Sequence, residues 1–180
     1  MAEEKKEPWL NYLALSTVIF AVCATLSTFK GGSYSTRSVL SQAQATNQWA
    51  YYQAKSLKGY LYETQKEGLE TSIQQAGNNL SPEVLKEMNT RLDSYVKRVA
   101  KYDAEKAEIS KEARKFEDIR DDAQKHSQIF GIAVIFLQIA ILLGSIAALL
   151  KKKLMWYLGM AVGTVGIVYF ANGFLLFLTW

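Results

Sequence analysis

Apolar and charged residues are segregated along this chain. Three stretches, 9–29, 129–150 and 154–178, contain no Asp, Glu, Lys or Arg and are mostly apolar. A run of about 18 or more such residues is long enough to cross a bilayer as a helix. The pattern therefore predicts an integral membrane protein of the all-α class with three transmembrane helices. The remaining long segment, 30–128, is predicted to lie outside the membrane.

The extramembrane segment divides into two helical halves. In the second half, 83–126, apolar residues recur at alternating spacings of three and four for more than five heptads, which is typical of a coiled coil. Its predicted seam is Leu85, Met88, Leu92, Tyr95, Val99, Tyr102, Lys106, Ile109, Ala113, Phe116, Arg120 and Ala123. The first half, 33–77, has a weaker seam at Leu40, Ala43, Asn47, Ala50, Ala54, Leu57, Leu61, Thr64 and Gly68.

A turn at 77–82 separates the two halves. Gly77 suits the position after a helix end, and Ser81-Pro82-Glu83 supplies a cap, a first-turn proline and an acid at the positive helix end. Folding about this turn predicts an antiparallel hairpin in which paired residue numbers add up to about 160. Ala50 then faces Ile109, and Leu61 faces Val99.

Three aromatic residues do not fit this seam. Trp49, Tyr52 and Tyr62 fall on the outer side of the predicted hairpin. Exposed aromatic patches commonly mark an interaction surface, whereas scattered rings can also be shielded by the stems of lysines such as Lys55 and Lys58. We take the three rings as a hypothetical interface between copies of the chain.

The predicted spans contain small residues at helical spacing. Ala140 and Gly144 share one face of the second span, and Gly159 and Gly163 form a GxxxG motif in the third. Small residues let membrane helices approach closely, within one chain or between copies, so these four positions join the hypothetical interface. A threonine-containing face of the first span leaves a pore lining open as an alternative; its members are Thr17, Ala21, Thr25 and Thr28.

Charge distribution predicts the orientation. The second and third spans are joined only by the loop 151–153, three lysines, and short Lys-rich loops stay in the cytoplasm. The N-terminal segment 1–8 is then cytoplasmic too, and the hairpin lies on the periplasmic side. The first apolar stretch has 21 residues where a signal core has about 7–15, so we expect an uncleaved anchor.

Candidate chemistry is sparse. The net charge of +4 is too small and dispersed to favour nucleic acid, and the single cysteine, Cys23, excludes a disulfide framework. The acidic cluster 117–122 with the lone His126 could mimic a metal site, but like-charged pairs among lysines and arginines favour a solvated face. Without a catalytic motif or a phosphate loop, we expect neither enzyme activity nor a cofactor.

Four segments of the chain carry a resemblance to known proteins. They are Asn11-Tyr12-Leu13-Ala14-Leu15-Ser16-Thr17-Val18, then Cys23-Ala24, then Gln48-Trp49-Ala50-Tyr51-Tyr52-Gln53-Ala54-Lys55-Ser56, and the Lys-tipped C-terminal hairpin. With these segments the chain resembles a family of small bacterial inner-membrane proteins catalogued as a domain of unknown function. The resemblance covers essentially the whole chain. It implies a location in the bacterial inner membrane and carries over no activity, ligand or catalytic residue.

Together these patterns favour a non-catalytic, self-associating membrane protein that projects a helical stalk. Such a protein acts as a scaffold, as a spacer or as an accessory subunit of a larger membrane complex. The expected partners are the lipid bilayer, further copies of the chain and other membrane subunits. The alternative function is an oligomeric channel whose first spans surround a pore.

Overall fold

The computed structural model describes residues 8–77 and 80–177, and three long helices account for nearly all of them. Helix α1 is Trp9–Ala76, α2 is Pro82–Leu150 and α3 is Lys153–Leu175. No strand occurs among these described residues. The all-helical class predicted from the sequence is confirmed, and each helix contains one window long and apolar enough to cross a membrane.

The two long helices are continuous where the sequence predicts a change of segment. Gly31 and Gly32 directly follow the first apolar stretch and Lys30, and α1 runs through them unbroken. A glycine costs a helix only about 1 kcal/mol relative to alanine. At Gly31 the missing side chain also has a use, because a Cβ there would lie 3.1 Å from the Cβ of Phe130 on α2. The close approach of α1 and α2 therefore accounts for the glycine at position 31.

The ends of α1 and α2 carry the predicted capping residues. Gly77 follows α1 with a φ of +49°, in the left-handed region that glycine adopts without strain. The Ser81 hydroxyl accepts a 3.4 Å hydrogen bond from the Val84 N–H in the first turn of α2. Residues 78 and 79 of the predicted turn lie outside the described residues.

The three-lysine loop begins as a helix C-cap. Lys151 adopts a φ of +50°, and the Lys152 N–H donates to the Ala147 carbonyl at 3.2 Å, the long-range bond of a Schellman motif. Helix α3 then starts at Lys153 and ends at Leu175, whereas its apolar stretch was expected to reach residue 178. Residues 178–180 and 1–7 lie outside the described residues.

The chain forms two compact units. The first contains 8–40 and 119–177 among the described residues, and it comprises all of α3 with one end of each long helix. Two hydrophobic clusters lie among its buried residues. One is Phe20, Ala24, Leu137 and Ala140, and the other is Trp9, Leu13 and Ala147.

The second unit, 41–118, is a pair of antiparallel helices with a thin core. Ala45, Ile109 and Ala113 are its buried apolar side chains among the described residues. The antiparallel direction follows from contacts between the helices, such as Lys55 with Glu105 and Gly59 with Tyr102. These pairs add up to 160 and 161, close to the predicted register.

The seam predicted on α2 agrees with the structure, but the seam predicted on α1 is wrong. From Met88 to Ala123 every predicted α2 position is buried or half-buried. On α1, Ala50 is exposed, and Leu57 and Leu61 are 73% and 57% exposed. Buried and half-buried residues of α1 follow the same period on the opposite face; they include Ser41, Ala45, Gln48, Tyr52, Lys55, Gly59, Tyr62 and Lys66.

Candidate interaction surfaces

Helix α3 packs through its glycines. A Cβ on Gly166 would lie 2.8 Å from Leu137 Cγ, and one on Gly173 would lie 2.6 Å from the Phe130 ring. A Cβ on Gly163 would overlap the Phe20 ring. Each glycine thus receives a large side chain from α1 or α2, as expected for helices that approach closely through small residues.

The predicted small-residue interface is brought together inside one chain. A Cβ on Gly159 would lie 3.2 Å from the Ala140 carbonyl oxygen and 3.6 Å from the Gly144 backbone nitrogen. Gly144 in turn faces the Thr17 hydroxyl of α1, 2.9 Å from its own ideal Cβ position. These residues and Gly163 are therefore engaged by packing within the chain. The structure leaves them no free surface for a second copy.

His126 ties α2 to the C-terminal end of α3. Its Nδ1 lies 2.7 Å from the Gly173 carbonyl oxygen, and its ring stacks on Tyr34 with centroids 4.4 Å apart and 12° between the planes. Because a carbonyl can only accept, Nδ1 carries the proton in this bond. Nε2 then faces Asp122 Oδ2 at 4.0 Å. The histidine satisfies a last-turn carbonyl of α3, a role that the sequence did not reveal.

Trp49 and Tyr52 lie in the contact between the two helices of the hairpin. The Trp49 Nε1–H donates a 2.9 Å hydrogen bond to Glu117 Oε1 on α2, and Tyr52 lies edge-on to the indole. Both side chains are half-buried. Their assignment to the outer face is wrong, because α1 turns toward α2 the face opposite to the predicted seam.

Tyr62, the third predicted surface aromatic, also contacts α2. Its ring stacks on Tyr102 with centroids 5.8 Å apart and lies 5.9 Å from Tyr95. Its hydroxyl accepts a 2.8 Å hydrogen bond from Arg98 Nη1. The hypothesis that these three aromatics bind a second copy required exposed rings, and the rings are half-buried.

A charged pair lies between the aromatic contacts. Lys55 Nζ lies 2.7 Å from Glu105 Oε2, and its ammonium also sits over the rings of Tyr51 and Tyr102. The hydrogen bond from Lys55 lowers the pKa of Glu105, and the same bond raises the pKa of Lys55. Both groups are partly solvated, so the pair favours one alignment of the helices more than it stabilises them.

The first unit has a shallow groove between α1 and α2. Its volume is about 310 Å³, and its lining residues are Ser27, Thr28, Gly31, Gly32, Ser35, Ser127, Gly131 and Val134. The Ser127 hydroxyl donates to the Gly31 carbonyl at 3.1 Å. A Cβ on Gly32 or on Gly131 would have no neighbour within 4 Å. The groove is open to the outside and holds no titratable side chain.

The comparisons with known proteins give one match. The model of the family described as "Domain of unknown function (DUF4337)" matches residues 9–176. The chain belongs to this family. No curated protein matches the chain, and neither does any solved structure. The DUF4337 match covers all three helices, and it confirms that the chain belongs to a domain-of-unknown-function family. Its description names no activity.

The contacts of the candidate residues in this DUF4337 chain are contacts between its helices. Among the described residues, no group of three or more His, Cys, Asp or Glu side chains is placed to hold a metal ion. What the structure does present is a set of exposed apolar surfaces. The apolar windows of all three helices form one, and a face of α1 in the second unit forms the other.

Proposed function

We propose that this DUF4337 protein is a non-catalytic, self-associating membrane protein that holds a helical hairpin outside the bilayer as a scaffold, a spacer or an accessory subunit. The observation that carries the proposal is the exposure of the three apolar windows. Only 22%, 28% and 17% of the residues in these windows are buried within the chain. A helix that is apolar all round and not covered by protein is suited to lipid.

Helix α1 illustrates the argument. Leu15, Val18 and Val22 are 59%, 60% and 54% exposed, although they lie in a stretch without any charged residue. In water, contiguous apolar surface of this kind would drive aggregation. In a bilayer the same side chains face acyl chains, and the helical backbone satisfies its own hydrogen bonds.

Three threonines of the first apolar stretch are compatible with this environment. Thr17, Thr25 and Thr28 each donate a 2.9 Å hydrogen bond to the carbonyl four residues earlier on α1. Such bonds give a hydroxyl a partner without water. No specific observation favours the alternative in which these threonines line the pore of an oligomeric channel.

The hairpin supports an extramembrane role. Its helices carry ion pairs that remain in contact with solvent, including Lys106 with Asp103 at 2.7 Å and Lys66 with Glu70 at 3.7 Å. The exposed loop 151–153 bears three lysines, and short Lys-rich loops are retained in the cytoplasm. We therefore propose a bacterial inner-membrane location, with the hairpin on the periplasmic side and the lysine loop in the cytoplasm.

Cysteine labelling tests the location and the orientation together. In a Cys23→Ala background, Lys86→Cys places a thiol on an exposed position of the hairpin, and Lys152→Cys places one in the lysine loop. A membrane-impermeant thiol reagent should label the first variant in intact spheroplasts and the second only after lysis. The reverse pattern would overturn the orientation. Recovery of the protein in the fraction soluble at alkaline pH would overturn the membrane assignment.

Two further measurements test the function itself. The native mass in mild detergent should exceed that of one chain, and the purified protein in liposomes should not conduct ions. A single-chain particle would contradict self-association. Ion flux above that of empty liposomes would favour the channel instead.

A further inference from the structure

Helix α1 carries a second heptad repeat that the hairpin leaves uncovered. Its positions alternate in steps of three and four, and all are exposed. We name this surface the vacant face; it consists of Ala43, Asn47, Ala50, Ala54, Leu57, Leu61, Thr64 and Gly68. Six of the eight residues are Ala, Leu or Gly, the composition of a helix–helix contact rather than of a solvated helix face.

The vacant face lies opposite the contact with α2. Successive residues of an α-helix are rotated by about 100°, so Leu57 is turned about 160° away from Gly59, two positions on. A Cβ on Gly59 would lie 3.6 Å from the Cβ of Tyr102 on α2. A Cβ on Gly68, in contrast, would have no neighbour within 4 Å. The pairing with α2 therefore cannot cover this surface.

Exposed apolar area is concentrated on α1. Tyr51, Leu57, Tyr60 and Leu61 are 50%, 73%, 64% and 57% exposed, and they lie on or beside the vacant face. An aromatic side chain can bury roughly 150–250 Å². From their exposed fractions, these four side chains together expose on the order of 400–500 Å². A standard interface buries about 800 Å² per partner. The exposed alanines of the face add to this area.

We propose that the vacant face binds the same face of a second copy, with the two α1 helices parallel. This inference rests on the proposed function, because two copies anchored in one bilayer with one topology have their α1 helices pointing the same way. The 3-4 spacing of the face fits another helix of the same period. A symmetric pair needs the same patch on both copies, and the vacant face provides it.

Asn47 and the flanking charges fit this arrangement. Asn47 falls at a core position of the repeat, where a single asparagine pairs with its counterpart in parallel two-stranded coiled coils and sets the register. At the positions that directly border the core of this repeat, between residues 44 and 67, the charged residues are Lys58 and Glu67. In the parallel pair Lys58 lies beside Gln53 of the other copy, and Glu67 lies beside Ser72. No like charges meet across this contact.

Site-specific cross-linking tests the contact in the full-length protein in native membranes. In a Cys23→Ala background, Asn47→Cys and Leu61→Cys each place a thiol at a core position of the vacant face. A short bifunctional thiol reagent should link two copies of each variant. Glu63→Cys, which is exposed on another side of the same helix, is the matched control and should remain a single chain. Linkage of the control alone, or of none, would overturn the proposal.

Charge insertion tests whether the face holds the particle together. Leu57→Glu with Leu61→Glu should reduce the native particle in mild detergent to a single chain while helix content stays unchanged. Val84→Glu with Val96→Glu introduces the same charges at exposed positions of α2 and should leave the mass of the particle intact. If the wild type is already a single chain, self-association itself fails. If an oligomer persists in both variants, only the assignment of the contact to the vacant face fails.

Discussion

Trp49 and Glu117 join the two helices of the hairpin by a direct hydrogen bond. The indole Nε1–H of Trp49 donates to Glu117 Oε1 at 2.9 Å across 68 positions of sequence. The donor lies on α1 in a segment whose spacing had predicted it to face outward. The bond shows that α1 turns its aromatic and ionic face toward α2 and leaves its leucine face exposed.

Replacement of Trp49 by Phe should destabilise the hairpin without changing the size of the particle. A hydrogen bond to a charged acceptor contributes about 1.5–3 kcal/mol when well shielded, and we expect about 1 kcal/mol for this half-buried pair. Thermal unfolding followed by circular dichroism measures the loss. Glu117→Gln retains an acceptor oxygen and should cost less. A smaller native particle with an unchanged unfolding midpoint would instead return Trp49 to an interface between copies.

Alanine at Gly166 should destabilise the first unit, whereas alanine at Gly131 should not. A Cβ on Gly166 meets Leu137 at 2.8 Å from Cγ and 3.0 Å from the backbone nitrogen, and such overpacking costs roughly 1–3 kcal/mol. A Cβ on Gly131 has no neighbour within 4 Å, so the helix gains up to about 1 kcal/mol from alanine. The measurement is the thermal unfolding midpoint of each alanine variant in detergent, relative to the wild type. Equal shifts of the same sign would contradict the observed packing of α3.

Acidification should weaken the hairpin through Glu105. The hydrogen bond from Lys55 lowers the pKa of Glu105, so the pair contributes stability above the ordinary carboxyl pKa, and this contribution is lost as the pH falls through the lowered value. The unfolding midpoint of the wild type should therefore fall more steeply below about pH 4.5 than that of Glu105→Gln. Glu63→Gln, an exposed change on α1, is the control and should follow the wild type. Parallel curves for all three proteins would contradict a role for the pair.

The same pair has a second titration at high pH. Lys55 has a raised pKa because Glu105 accepts its hydrogen bond, so its contribution is present below the ordinary lysine range and disappears as the pH rises through the raised value. Lys55→Gln should remove this alkaline loss. Unfolding midpoints between pH 9 and 12 for wild type and variant measure the difference.

Removal of the His126 side-chain donor should loosen the last turn of α3. His126→Phe retains a ring to stack on Tyr34 but leaves the Gly173 carbonyl without its 2.7 Å partner. We expect faster amide hydrogen exchange in residues 170–177, with little change in the second unit. His126→Asn retains a donor and should exchange more slowly than His126→Phe. Equal protection in the wild type and in His126→Phe would show that the bond does not hold the helix end.

Much of the secondary structure follows from local pattern. Uncharged stretches of 21 or more residues predict membrane helices, because a helix satisfies its own backbone hydrogen bonds. The sustained 3-4 repeat predicts a helix as well. The end of α1 and the start of α2 were visible in Gly77 and Ser81, since capping depends on neighbouring residues. The α2 seam was predictable too, because its apolar residues lie on one face.

Tertiary structure decided which face of α1 is the seam. The sequence of α1 contains two faces with the same period, one with Leu57 and Leu61 and one with Tyr52, Gly59 and Tyr62. Counting apolar residues favoured the first face. The second packs because Gly59 admits Tyr102 and because Lys55 meets Glu105, contacts that depend on residues far away in the sequence.

The partner of each small residue was also decided by the fold. Gly163 receives Phe20 and Gly173 receives Phe130, although the GxxxG spacing alone is compatible with packing within a chain or between copies. The bond from His126 to Gly173 spans 47 positions, so the residues near His126 in sequence do not reveal it. The sequence by itself determined which segments are helical and which are apolar. The pairing of their faces was decided by side-chain shape and charge across separate helices, which a local period does not encode.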